Sequence, residues 1–167
     1  MRLERSVRGA AAGAVAAAVW AAQEPLDKRV FDVDYSDIEL LGKAVTRGDE
    51  WPAVGLAIHI ANGAAFGAAY ALVRPLIPGP AQTAGLAAAL TEHLATWPLT
   101  ALIDRSLTGN RRAFAQSAWR HALFGLVLGE LERRLNPEGR FEPLEQVPVS
   151  SNGHGNIEHA AAGATEA

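Results

Sequence analysis

Apolar residues in this chain gather into long blocks, and three of them match the length of helix that crosses a hydrocarbon core, about 20 residues. Residues 52–73 hold no charged side chain, residues 81–103 hold only Glu92, and residues 113–131 hold Arg120 near the middle and Glu130 at the end. A fourth block, 9–22, is shorter, and extended to 7–24 it nearly reaches across a thin bilayer. The pattern predicts an all-α protein, a four-helix transmembrane bundle with spans near 7–24, 52–73, 81–103 and 113–131.

The first block has a second reading. Arg2, Arg5 and Arg8 ahead of an Ala-rich run that closes on Trp20-Ala21-Ala22 also fit a secretory signal, with residues 1–22 removed by cleavage. Gly9, Gly13 and Ala17 weigh for retention, because small residues at four-residue spacing suit a helix packed closely on another. The same spacing recurs at Gly63 with Gly67 and at Gly125 with Gly129.

Polar stretches separate the blocks. Residues 23–51 hold eight acidic and four basic side chains; with the first span ending at Glu24, the loop proper is 25–51. Within it, Ser36 followed by Glu39 matches a capping box, and Ile38, Leu40, Leu41 and Val45 give a short helix near 37–45 an apolar side. That element is expected as an interfacial lid over one end of the bundle. Trp51-Pro52 opens the next helix with an aromatic at the interface. Trp97-Pro98 predicts a kink in the third span. From Asn136-Pro137 the chain turns polar, and 136–167 reads as a disordered tail.

Composition narrows the classes. The chain has 167 residues, 49% of them hydrophobic but only 7% aromatic, so its core must be built from Ala, Leu and Val. A mean hydropathy of +0.05 is low for a multi-pass protein, the polar loop and tail diluting it. With no cysteine there is neither a disulfide framework nor a thiolate metal site. A net charge of −3 and no basic stripe exclude general nucleic-acid binding. No phosphate-binding loop, dinucleotide fingerprint or nucleophile elbow occurs, so no catalytic residue is assigned and the balance leans away from an enzyme. Lys and Arg divide seven against seven across the bilayer, with Arg120 inside it, so the three arginines before the first span favour cytoplasmic termini only weakly.

Candidate chemistry lies within the spans. His59, His93 and His121 each sit in a different apolar block, where an ionisable group is costly unless it faces a cavity or a partner. With antiparallel helices rising ~1.5 Å per residue, His59 lies roughly 10 Å below the lid face, Arg120 and His121 about 10 to 12 Å, and Glu92 and His93 about 15 Å. Asn62 follows one turn below His59, and Glu24 stands at the mouth of the layer. Three readings follow. The layer is a structural polar network, with Glu92 pairing to Arg120; or a proton-handling site, because histidine titrates near physiological pH; or a zinc or iron site with His59, His93 and His121 as ligands.

Glu24-Pro25-Leu26, His59 with Phe66-Gly67 and Tyr70, Gly85-Leu86, His93 before Pro98-Leu99, and Arg120-His121 with Glu130 and Arg133-Arg134 together resemble the YagU-type inner-membrane proteins over roughly residues 9–135. These are small bacterial multi-pass proteins without an established molecular activity. The resemblance implies a bacterial plasma membrane and helical spans in this order. The expected role is passage of protons or a small solute, or sensing of envelope conditions, with a membrane metalloprotein and a purely structural or interaction protein as alternatives. Lipid is the expected partner. The small-residue stripes would also suit a homo-oligomer.

Overall fold

A computed structural model describes residues 2–137 as five α-helices, with no strand among the described residues. They are α1 (Arg2–Phe31), α2 (Asp37–Val45), α3 (Trp51–Val73), α4 (Ala81–Ile103) and α5 (Arg111–Leu135). The protein is therefore all-helical.

α1 runs well past the apolar block that begins it. Pro25 removes one backbone donor, yet the helix continues to Phe31, which corrects the expected end at Glu24. The extension puts Asp27 seven residues after Trp20, two turns on along the same buried face, where it meets α5. Asp32 then adopts a left-handed conformation (φ 54°), and the Val33 amide donates back to the Lys28 carbonyl at 3.2 Å, which ends the helix as a Schellman turn does. α2 starts where Ser36 Oγ accepts the Glu39 amide at 3.1 Å. Only half of the capping box forms, because the Glu39 carboxylate pairs with Lys43 instead.

Close backbone approach sets the packing. α1 and α3 are antiparallel, and a Cβ on Gly13 would collide with the Gly63 carbonyl. α4 and α5 pair in the same way, with a Cβ on Gly85 blocked by the Gly125 carbonyl. Few other residues could replace glycine at such crossings, because helix axes this near leave no room for a side chain. α2 folds back on α3 through Gly42 and Gly55. α1 also packs along α5, so the four long helices lie in the spatial order α3, α1, α5, α4.

α3 and α4, at the two ends of that row, do not pack as a pair. They are joined at the end away from α2, where the Tyr70 hydroxyl donates to the Ala81 carbonyl at 3.3 Å. Toward α2 a cleft separates them.

Around a core of Ala12, Ala16, Ala17, Trp20, Tyr70, Ala89, Phe124 and Leu128, the bundle also buries several polar side chains and exposes several large apolar ones. Asp27, His59, His93, Gln116, Arg120, His121 and Glu132 are buried, whereas Leu3, Val7, Leu76, Leu94, Leu99, Leu102, Ile103 and Trp119 are exposed. One helix among the described residues, Trp51–Leu76 with its terminal turn, is long and apolar enough to cross a membrane, and only 28% of its most apolar window is buried inside the fold.

Packing also involves both ends of the described chain. Residues 2–22 supply Gly9, Gly13, Ala16, Ala17 and Trp20 to the interior, so the α1–α3 seam is built on the stretch that also resembles a signal. Asn136, expected as the start of a tail, instead caps α5: its amide donates to the Glu132 carbonyl at 2.8 Å, and its buried side chain donates to the Arg5 carbonyl at 3.3 Å. The tail expected over 138–167 lies outside the described residues.

Candidate functional site

Two polar assemblies lie one above the other beneath α2. The upper one centres on Arg120, whose side chain has no exposed surface. Its Nε and Nη2 donate to the two oxygens of Asp27 at 2.7 and 2.6 Å, a bidentate pair matched to the flat guanidinium fork. Nη1 donates to Asp37 Oδ2 at 3.0 Å, and Nη2 also to the Tyr35 carbonyl at 3.0 Å. Asp27 accepts a further bond from Gln116 Nε2 at 2.7 Å. The Tyr35 hydroxyl donates to Asp37, and burial, followed by the negative charge of Asp37, pushes its ionisation far above the usual phenol range. Tyr35 is thus a permanent donor. Together these groups tie α1, the 33–36 segment, α2 and α5 into one knot.

This arrangement corrects the expected Glu92–Arg120 pair. Glu92 lies on α4, and Arg120 instead faces α1 and α2, where two aspartates occupy the guanidinium. Glu24 is a peripheral member, 3.9 Å from Arg120 and bonded to Lys28 at 3.2 Å. Lys28 also bonds to Asp34 at 2.8 Å, which links the end of α1 to the segment that follows it.

The lower assembly holds the histidines. His121 Nδ1 lies 2.7 Å from the Ser117 carbonyl, and since a carbonyl can only accept, Nδ1 carries the hydrogen. His121 Nε2 is then left facing Glu92 Oε2 at 2.8 Å. A bare imidazole lone pair would repel a carboxylate there, so the two atoms hold one proton between them, on either the ring or the carboxyl. His93 lies 4.7 Å from His121 between ring centroids, with its Nδ1 3.3 Å from Ser117 Oγ. His59 Nε2 donates to the Ala17 carbonyl at 3.2 Å. The indole of Trp20 is wedged between His59 and His121, 5.0 and 4.6 Å from their centroids.

All three histidines line one cavity of about 370 Å³ between α3 and α4. Asn62, Glu92, Thr96 and Asp37 also reach it, among Leu40, Leu41, Phe66, Trp97, Leu99 and Ile103. Arg120 does not, being sealed behind Asp27 and Asp37. Among the described residues no three His, Cys, Asp or Glu side chains form a set that could hold a metal ion, and the wedge of Trp20 explains why His59 stands off from His121.

Sequence reasoning missed Trp20, Asp27, Tyr35, Asp37, Gln116 and Ser117. Asp27, Tyr35 and Asp37 lie in a stretch read as a surface loop, where acidic residues carry no signal of burial. Gln116 and Ser117 did carry one, since each lies four residues, about one turn, ahead of a polar residue in the same apolar block, Gln116 before Arg120 and Ser117 before His121. Compared with known proteins, the chain matches no family model, no curated protein and no solved structure.

Proposed function

We propose that the protein is an integral membrane protein in which α1, α3, α4 and α5 cross the bilayer together and α2 lies along one surface as a lid, and that its cleft passes a proton or a small polar solute. The buried polar groups, in a bundle that exposes many large apolar side chains, carry this reading. An Arg–Asp knot and three imidazoles inside, with leucine, valine and tryptophan outside, suit a lipid surround, because water would favour the opposite arrangement. Among the described residues one helix meets the length and hydropathy of a span alone. The other three would cross with their polar groups turned inward and paired. The resemblance to YagU-type proteins supports a bacterial plasma membrane as the location.

The His121–Glu92 pair is the proton-bearing element. With Nδ1 anchored on Ser117, a proton moves between Nε2 and Oε2 without rotation of the ring. Imidazolium–carboxylate and imidazole–carboxylic acid have the same net charge, so this internal transfer adds no charge to the site, where His121 is largely buried and Glu92 part-exposed. His93, beside His121, offers the next position, and the cavity connects the layer to the outside.

Two measurements test this. Membranes washed with alkaline carbonate are expected to retain the protein; its recovery in the cytosol without detergent overturns the membrane assignment. Liposomes holding a pH-sensitive dye are expected to equilibrate a pH step faster with the protein than without it, and Glu92→Gln is expected to remove most of that gain. Equal rates in empty and loaded vesicles overturn the passage.

A further inference from the structure

Trp20 and His93 both line the cavity, and each leaves a buried ring nitrogen without a hydrogen-bond partner: Nε1 of Trp20 and Nε2 of His93. Both side chains are more than nine-tenths buried. An indole N–H can only donate, and leaving such a group unpaired in the interior costs about 1–3 kcal/mol. His93 is a donor too when the Ser117 hydroxyl donates to its Nδ1. Two buried nitrogens without a partner thus belong to rings that line the same cavity, each ring centroid within 5 Å of that of His121.

The surrounding charges restrict what can fill it. Glu92 and Asp37 reach the same cavity, so an anion would meet two carboxylates, and Arg120 is fully engaged with Asp27, Asp37 and Tyr35. A cation would find both carboxylates already bonded, to His121 and to Arg120 with Tyr35, and would leave the Trp20 N–H unanswered. A neutral oxygen acceptor fits. Most of the remaining wall is apolar, with Asn62, Thr96, Thr100 and Ser117 as polar exceptions, and the cavity lies between α3 and α4, which do not pack as a pair, with the exposed Leu99 in its lining. A cavity of about 370 Å³ falls within the usual range for small-molecule sites.

We propose that the α3–α4 cleft binds a neutral, lipid-soluble molecule bearing a carbonyl, its oxygen placed at Trp20 and His93 and its apolar body lying out between the helices. This rests on the membrane reading above, since a cleft between two helices that cross the bilayer receives such a molecule from the lipid. Two sources share the chemistry, a quinone ring and the ester carbonyl of an acylglycerol.

Binding to the full chain in detergent separates them, with decyl-benzoquinone and monodecanoylglycerol as probes and decane and decanoate as controls, followed by calorimetry. Saturable binding of at least one carbonyl probe is expected, and the probe that binds identifies the source. Trp20→Phe keeps the ring and removes the donor, and should weaken binding roughly tenfold. Leu99→Trp, at an exposed position in the cavity lining, should obstruct the cleft while circular dichroism stays unchanged, which guards against misfolding of the buried variant. Decane or decanoate binding as tightly as the carbonyl probes, no binding of either probe, or indifference to both substitutions overturns the proposal. Because every probe is delivered from detergent, a protein that fails the carbonate wash would refute the membrane reading without deciding this measurement.

Discussion

At the scale of single residues, Arg120 decides most. A buried ion pair adds little net stability compared with a well-packed apolar replacement, but removing one partner strands the other charge. Arg120→Met should therefore lower stability by about 3–5 kcal/mol, read as a drop in thermal midpoint in detergent, because it leaves Asp27 and Asp37 uncompensated. Adding Asp27→Leu to that variant should recover a large part of the loss. If the double variant is less stable than the single one, the knot is not the unit described. Arg120→Lys should not substitute, since an ammonium cannot span both oxygens of Asp27 and the Tyr35 carbonyl at once. Arg120, His93 and His121 were legible in the sequence as misplaced polar groups. Their partners were not, because aspartates and a tyrosine in a charged loop look like any solvated segment.

At the scale of elements, glycines govern how near the helices come. Gly13→Val and Gly85→Val each place a branched side chain against a backbone carbonyl that cannot move aside, so each should cost roughly 1–3 kcal/mol or prevent assembly. Gly79→Val is a useful control: nothing lies within 4 Å of its Cβ, and only its φ of 93° opposes the change. A smaller loss of folded yield at positions 13 and 85 than at 79 would contradict close packing as the cause. Ser36→Ala should loosen α2 by about 1 kcal/mol, seen as faster amide exchange over Asp37–Val45 with the exchange of α3 unchanged. The small-residue spacing in the sequence pointed to close helix packing, but which stripe meets which could not be read from it. Gly63 and Gly67 face α1, whereas Gly125 and Gly129 face α4.

At the scale of the whole molecule, the row α3, α1, α5, α4 bends so that its two ends flank a cleft floored by Trp20, His121 and Phe124. The absence of cysteine in the natural chain makes this testable by single-cysteine labelling. Cysteine at Asn62 or Thr96 on the cleft walls should react readily with a small charged thiol reagent, and cysteine at Ala16 or Leu128 in the core should not. Equal reactivity at all four positions would mean that the cleft is not a separate compartment. If the lid is held by the Arg120 knot, Asp37→Asn should increase labelling at Asn62, because it weakens the only charged link between α2 and α5 among the described residues.

The sequence by itself determined the helical class, the position of the short helix at Asp37–Val45, and the placing of one imidazole in each of three long helices. Each of these depends on spacing along one segment, which a linear pattern records. Only the tertiary structure decided that α1 passes through Pro25, that Arg120 turns to Asp27 and Asp37 and leaves Glu92 to His121, and that Trp20 separates His59 from the other two rings. Those choices depend on which faces of distant helices meet. They are settled by where glycine allows backbones to touch and by the cost of leaving a buried charge without an opposite one.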